Sequence, residues 1–159
     1  MKRLLLLLIV IFIWWCSTKQ QKIDTNQKLW EFKEQIEQYE QILAWSGCKA
    51  WESYFLWLSQ DYKYIHQYQK AIDILNKLAD CYPGAYKEKT SKLKLLLNNA
   101  WVVYEEWAYY LKQNWNPDYK NKYVKARQSF ETLMQLFSGT KLLTEEEINS
   151  YRERMKYYK

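Results

Sequence analysis

Residues that interrupt a backbone are scarce in this chain, with 3 glycines and 2 prolines among 159 residues. An all-β fold needs frequent turns and is excluded by that scarcity. The breakers that do occur, Gly47, Pro83, Gly84, Pro117 and Gly139, stand between periodic apolar stretches and mark helix boundaries. Histidine is rarer still. His66 is the sole one, and with cysteines scattered at 16, 48 and 81 the usual zinc ligand sets cannot be assembled. There is no glycine-rich phosphate loop and no nucleophile with an adjacent base. Glu105 and Glu106 are neighbours on a helix and point apart, while Glu145, Glu146 and Glu147 fill a first helical turn, where negative charge suits the dipole. The sequence therefore predicts no catalytic residues, no metal, no cofactor and no enzyme.

Charge of one sign is also lacking. Apart from Lys2 and Arg3, 22 basic residues face 18 acidic ones, an excess of +4 spread along the chain. That suits contact with anionic lipid or an acidic partner and does not form the basic stripe of a nucleic-acid binder. Tyr119, Lys120, Lys122, Tyr123 and Lys125 could stack bases, but they read more simply as solvated lysines beside buried rings. What the chain has in excess is aromatic: 18% of residues, with 9 Trp and 15 Tyr, far more than a disordered chain carries.

The apolar periodicity is helical throughout. Leu29, Phe32, Ile36, Tyr39 and Leu43 alternate three and four apart, giving one face of a helix that starts near Asp24, Thr25 or Asn26 and closes at Ser46-Gly47. Helices over 49–62 and 67–81 follow. A long one over 88–113 carries Leu93, Leu96, Leu97, Ala100, Val103, Tyr104, Trp107 and Leu111 on a broad face. The break at Asn114 to Asp118 leads into a helix over 119–137. Thr144-x-x-Glu147 is a capping-box signature for a last, strongly charged helix with Ile148, Tyr151, Met155 and Tyr158 on one side.

Two of these helices carry a spacing of their own: Phe55-x2-Leu58-Ser59-x2-Tyr62, then Tyr68-x2-Ala71-x3-Leu75-x2-Leu78, then Pro83. This resembles the tetratricopeptide repeat (TPR), in which a small residue lets the second helix approach the first and proline ends the unit. Tyr123-x2-Ala126-x3-Phe130-x2-Leu133 repeats the second half 55 residues later, against the 34 of a regular array, so the second unit is degenerate. The expected fold is all-α, a TPR-like antiparallel helix-hairpin solenoid of about five helices over 25–159, behind a hydrophobic N-terminal segment.

That segment, residues 1–16, has Lys2-Arg3 and then twelve apolar residues from Leu4 to Trp15. The run is roughly 18 Å long as a helix, short of the ~30 Å hydrocarbon core. It has the charged and apolar regions of a secretory signal. Cys16-Ser17, opening a polar linker over 17–24, resembles a bacterial lipoprotein signal, which implies lipidation of Cys16. Trp14 and Trp15 are bulky for that peptidase, so an uncleaved short anchor and conventional cleavage nearby stand beside it. On each reading the bulk of the chain is expected to be exported and held at a membrane. Cys48 and Cys81 are equidistant from a turn at Tyr64-Ile65, so the two should meet at the open end of the hairpin. In an oxidising compartment they would form a disulfide; the alternative is two free, partly buried thiols.

Together, the signal ending at Cys16-Ser17, the segment Tyr68 to Ile72 with Leu75, Leu78, Tyr82-Pro83 and Tyr86, and the later block Ala126-Arg127, Phe130, Leu133 and Tyr151-Arg152-x-Arg154 resemble the TPR-containing lipoproteins of the outer-membrane β-barrel assembly machinery, the BamD type. The resemblance implies a periplasm-facing scaffold at the outer membrane that holds a barrel-assembly subunit or a peptide segment. Trp51, Tyr54 and Trp101, off the main apolar stripes, are the partner-contact candidates. A second reading is a single-pass accessory protein whose helical domain mediates oligomerisation. A third is an aromatic-lined pocket for an apolar ligand or a peptidoglycan fragment.

Overall fold

The computed structural model describes residues 26–84 and 90–156. The signal or anchor, Cys16 and the linker fall outside those residues. Among the described residues every regular element is helical. We number the α-helices α1 (26–46), α2 (Glu52–Tyr64), α3 (Tyr68–Asp80), α4 (Ser91–Gln113), α5 (Tyr119–Phe137) and α6 (Glu145–Met155), with a 3-10 turn at Gly47–Lys49 between α1 and α2. Among the described residues, no helix is long and apolar enough to cross a membrane.

The boundaries follow local chemistry. Gly47 takes φ 53° at the end of α1, a backbone conformation that costs glycine nothing. The capping box at the start of α6 is complete: the Thr144 hydroxyl accepts from the Glu147 amide at 3.2 Å, and the Thr144 amide donates to the Glu147 carboxylate at 2.9 Å. Two left-handed positions are not glycine. His66 (φ 60°) ends α2 and Trp115 (φ 55°) ends α4. Both close their helix with a Schellman pair of bonds. Gln67 N–H donates to Tyr62 at 2.8 Å and His66 N–H to Lys63 at 3.0 Å; Asn116 N–H donates to Leu111 at 2.9 Å and Trp115 N–H to Lys112 at 3.2 Å. His66 is held there by stacking on Tyr110, 4.5 Å between centroids, and by a 3.0 Å bond between its Nδ1 and the Tyr68 hydroxyl.

Consecutive helices pack on one another, α2 on α3, α3 on α4, α4 on α5 and α5 on α6. Helix α1 joins the first of these layers through Ile36, with Tyr39 and Leu43 beside it. The α2–α3 seam is close because Ser59 and Ala71 meet there. Both are buried, and the Ser59 hydroxyl donates to the Ala71 carbonyl at 3.0 Å. Phe55, Leu58, Tyr62, Tyr68, Leu75 and Leu78 fill that seam in the core shared with Leu96 and Val103 of α4. Burying a large apolar side chain of this kind contributes about 1.5 to 3 kcal/mol.

Helix α4 is buried over a wider arc than its apolar stripe predicts. Leu96 and Val103 face α2 and α3, whereas Leu93, Leu97 and Trp101 belong to two further clusters with α5 and α6. A helix sandwiched on two sides needs two adjacent apolar strips, and Trp101 and Ala108 lie on the second one. Trp101 is fully buried against Phe130 (5.6 Å) and the edge of Tyr151 (5.1 Å), with the Arg154 guanidinium 4.5 Å above its ring. Arg154 also pairs with Glu105, and Lys94 with Glu147 at 2.7 Å, which fastens α6 to α4.

Candidate binding surface

Trp51, Tyr54, Trp57 and Asp61 recur every three or four residues and so form one strip, which begins at the residue preceding α2 and runs along that helix. Tyr39 of α1 leans onto this strip, its ring 5.8 Å from Tyr54 and 6.0 Å from Trp57. Tyr54 stacks on Trp51 at 6.4 Å and meets Trp57 edge-on at 5.7 Å. One turn beyond Asp61, Tyr64 stacks on Phe32 at 4.9 Å. The rings therefore continue along the α1–α2 seam. Trp51 keeps 75% and Trp57 50% of its surface exposed, while Tyr39 and Tyr54 are half-buried. Rings that support each other while showing their faces to solvent make a rigid apolar platform with low ordering cost on binding.

Asp61 lies within this strip but is only 6% exposed, and its Oδ2 has no hydrogen-bond partner. Burial pushes its carboxyl up from 3.8 to about 6. Burial also raises the Tyr39 hydroxyl, and the Asp61 charge adds to the shift. The other buried polar residues on α2 are satisfied: Ser59 as above, and Lys63 by Glu106 at 2.9 Å.

A groove of about 430 Å³ opens at the turn end of α1, lined by Leu43, Ala44, Phe55, Leu58 and Ile74, with Glu40, Lys77 and Asp80 among its polar lining residues. Cys48 and Cys81 also line it, joined as a disulfide whose Cα atoms are 5.3 Å apart. It is an apolar slot with mixed charges and no array of groups suited to chemistry.

Of the three partner-contact candidates, the structure brings Trp51 and Tyr54 together on the exposed strip. Trp101 has to be withdrawn as a surface residue. It is 0% exposed because α5 and α6 close over the second strip of α4. Sequence reasoning missed Trp57, Tyr39 and Asp61. The three-and-four spacing from Trp51 to Asp61 was available in the sequence, but an aspartate in that register reads as solvated until its burial is known. Glu105 and Glu106 pair with Arg154 and Lys63. Among the described residues no group of His, Cys, Asp and Glu could hold a metal ion. Two of the lysines beside Tyr119 and Tyr123 are engaged within the chain. Lys122 sits 3.7 Å over the Trp107 ring and pairs with Asp118 at 3.3 Å, and Lys125 lies 5.6 Å from the Tyr104 ring. No family model, no curated protein and no solved structure matches this chain.

Proposed function

We propose that this chain is a TPR-like scaffold, tethered to a membrane by its N-terminal segment, that docks a protein partner on the aromatic strip of α1 and α2. The observation that carries the reading is the strip itself. Trp51 and Trp57 stand exposed on a platform of Tyr39 and Tyr54, mounted on a helix pair whose open end carries the Cys48–Cys81 bond. Large exposed aromatics on rigid elements are the usual anchors of protein interfaces. The close Ser59–Ala71 approach and the packing of each helix on the next support the TPR-like description. By its resemblance to the barrel-assembly lipoproteins, the partner would be a barrel-assembly subunit or an unfolded segment of an outer-membrane protein.

A photoactivatable phenylalanine analogue in place of Trp51, carried in the membrane-anchored protein, tests this. The expected result is a discrete adduct with a barrel-assembly component, lost when Trp57 is also changed to Ala. Recovery of no such component removes the assembly role, and the absence of any Trp57-dependent adduct removes the docking surface.

A further inference from the structure

Among the described residues, four cations lie over an aromatic ring and beside a carboxylate. Lys122 sits 3.7 Å over Trp107 with Asp118 at 3.3 Å, and Lys92 sits 3.8 Å over Tyr82 with Glu52 at 3.7 Å. Lys63 lies 5.5 Å from the Tyr64 ring with Glu106 at 2.9 Å, and Arg154 lies 4.5 Å from the Trp101 ring, paired with Glu105. The strip on α2 has the same ring and carboxylate components in Trp57, Tyr39 and Asp61, and among the described residues no lysine completes it. An unpartnered buried carboxylate is costly, and ring faces attract cations and repel anions. Both features favour a cation and disfavour an acidic or neutral group. A single carboxylate with no second oxygen or nitrogen donor is a poor metal site.

We propose that the Tyr39–Trp57–Asp61 set receives a lysine side chain from the docked protein. Its four-carbon stem lies along the rings of Tyr39 and Trp57, and its ammonium group pairs with Asp61 Oδ2. The proposal rests on the docking surface above and names the chemistry it reads. Asp61 is closed off at rest, and Trp57, half exposed and one turn before it, is the side chain that turns aside to admit the stem. Of the four internal sets, three use lysine and one arginine. Specificity follows from the orphan oxygen, since a neutral side chain of the same length leaves it unpaired.

The full chain is titrated with Nα-acetyl-lysine methylamide and, separately, with Nα-acetyl-norleucine methylamide, which has the stem without the ammonium. Binding is read from ligand-observed NMR and from the Trp57 indole resonance. The lysine compound is expected to bind about tenfold or more tightly than the norleucine compound. Asp61→Asn should erase that preference, and Trp57→Leu, at a half-exposed position that tolerates change, should weaken the lysine compound severalfold. Equal binding of the two compounds, or a preference that persists in Asp61→Asn, overturns the proposal. So does unchanged affinity in Trp57→Leu. Saturation of the site by phosphatidylcholine vesicles in place of the lysine compound would assign it to a lipid headgroup and likewise overturn it. A Trp57-dependent crosslink at position 51 together with no lysine preference leaves the docking surface standing and removes only the cation.

Discussion

Cys48 and Cys81 are bonded across the open end of the α2–α3 hairpin, 33 residues apart in sequence. The bond also ties the turn after α1 to the end of α3, so three helices are held at one point. Closing a loop of this length removes chain entropy worth about 3 to 4 kcal/mol from the unfolded state in the loop-closure model. Cys48→Ser with Cys81→Ser is expected to lower the stability to denaturant by roughly 2 to 4 kcal/mol. A chemical-denaturation curve of the double variant beside the oxidised protein checks it, and reductant should shift the native protein to the same midpoint. A midpoint indifferent to both would show that the helix packing alone sets the stability.

The hairpin was legible because its apolar residues all belong to one core cluster. Phe55, Leu58, Tyr62, Ala71, Leu75 and Leu78 turn one apolar face of each helix to that cluster, and periodicity reports a single apolar face well. Helix α4 was legible only in part. Its first strip follows the apolar stripe, but the second, with Trp101, is defined by α5 and α6 arriving from more than twenty residues downstream. Asp61 was not legible either. Its spacing places it on the strip, yet spacing along one helix does not report that it is buried. The left-handed Trp115 had no local signal at all, since glycine is the residue that such a helix end ordinarily selects.

Trp115 gives a sharp test of that cap. It takes φ 55° while 94% exposed, so it carries the strain of a left-handed side chain and recovers little by packing. Trp115→Gly relieves the strain without disturbing the two backbone bonds, and is expected to raise stability by about 1 kcal/mol. The expected gain appears as a higher denaturation midpoint. A loss instead would show that the exposed indole is fixed by a contact worth more than the strain. His66→Gly should behave in the opposite way and destabilise, because it forfeits the Tyr110 stack and the Tyr68 bond.

Ala126 is fully buried in the same cluster as Trp101 and Phe130. The absence of a longer side chain there is what admits the indole between α4 and α5. Ala126→Leu adds volume where there is none, and overpacking of this kind costs about 1 to 3 kcal/mol. Trp101→Ala should cost more, about 3 to 5 kcal/mol, since it leaves a large void. The pair Trp101→Ala with Ala126→Leu should recover part of the loss, which a double-mutant cycle in denaturant measures; strict additivity would mean that the two residues do not share a cavity.

The Asp61 carboxyl makes the fold pH-dependent in an uncommon direction. Its folded value, about 6, lies above the ordinary 3.8, so between these values the native state holds a proton that the unfolded chain has released. Stability from this group is therefore greatest below about pH 4, falls as pH rises from 4 to 6, and is absent above that. A rise of this size corresponds to at most about 3 kcal/mol, set by the cost of charging a carboxylate that burial has stripped of water and left without a partner. Asp61→Asn cannot take on that charge. Subtracting its stability from that of the native protein at each pH cancels every other titrating group. The difference should grow in favour of the variant through pH 4 to 6, then level off by on the order of 2 to 3 kcal/mol at neutral pH. Urea unfolding at pH 4, 5, 6 and 7.5 measures it. A difference independent of pH would show that water reaches the Asp61 carboxylate in solution.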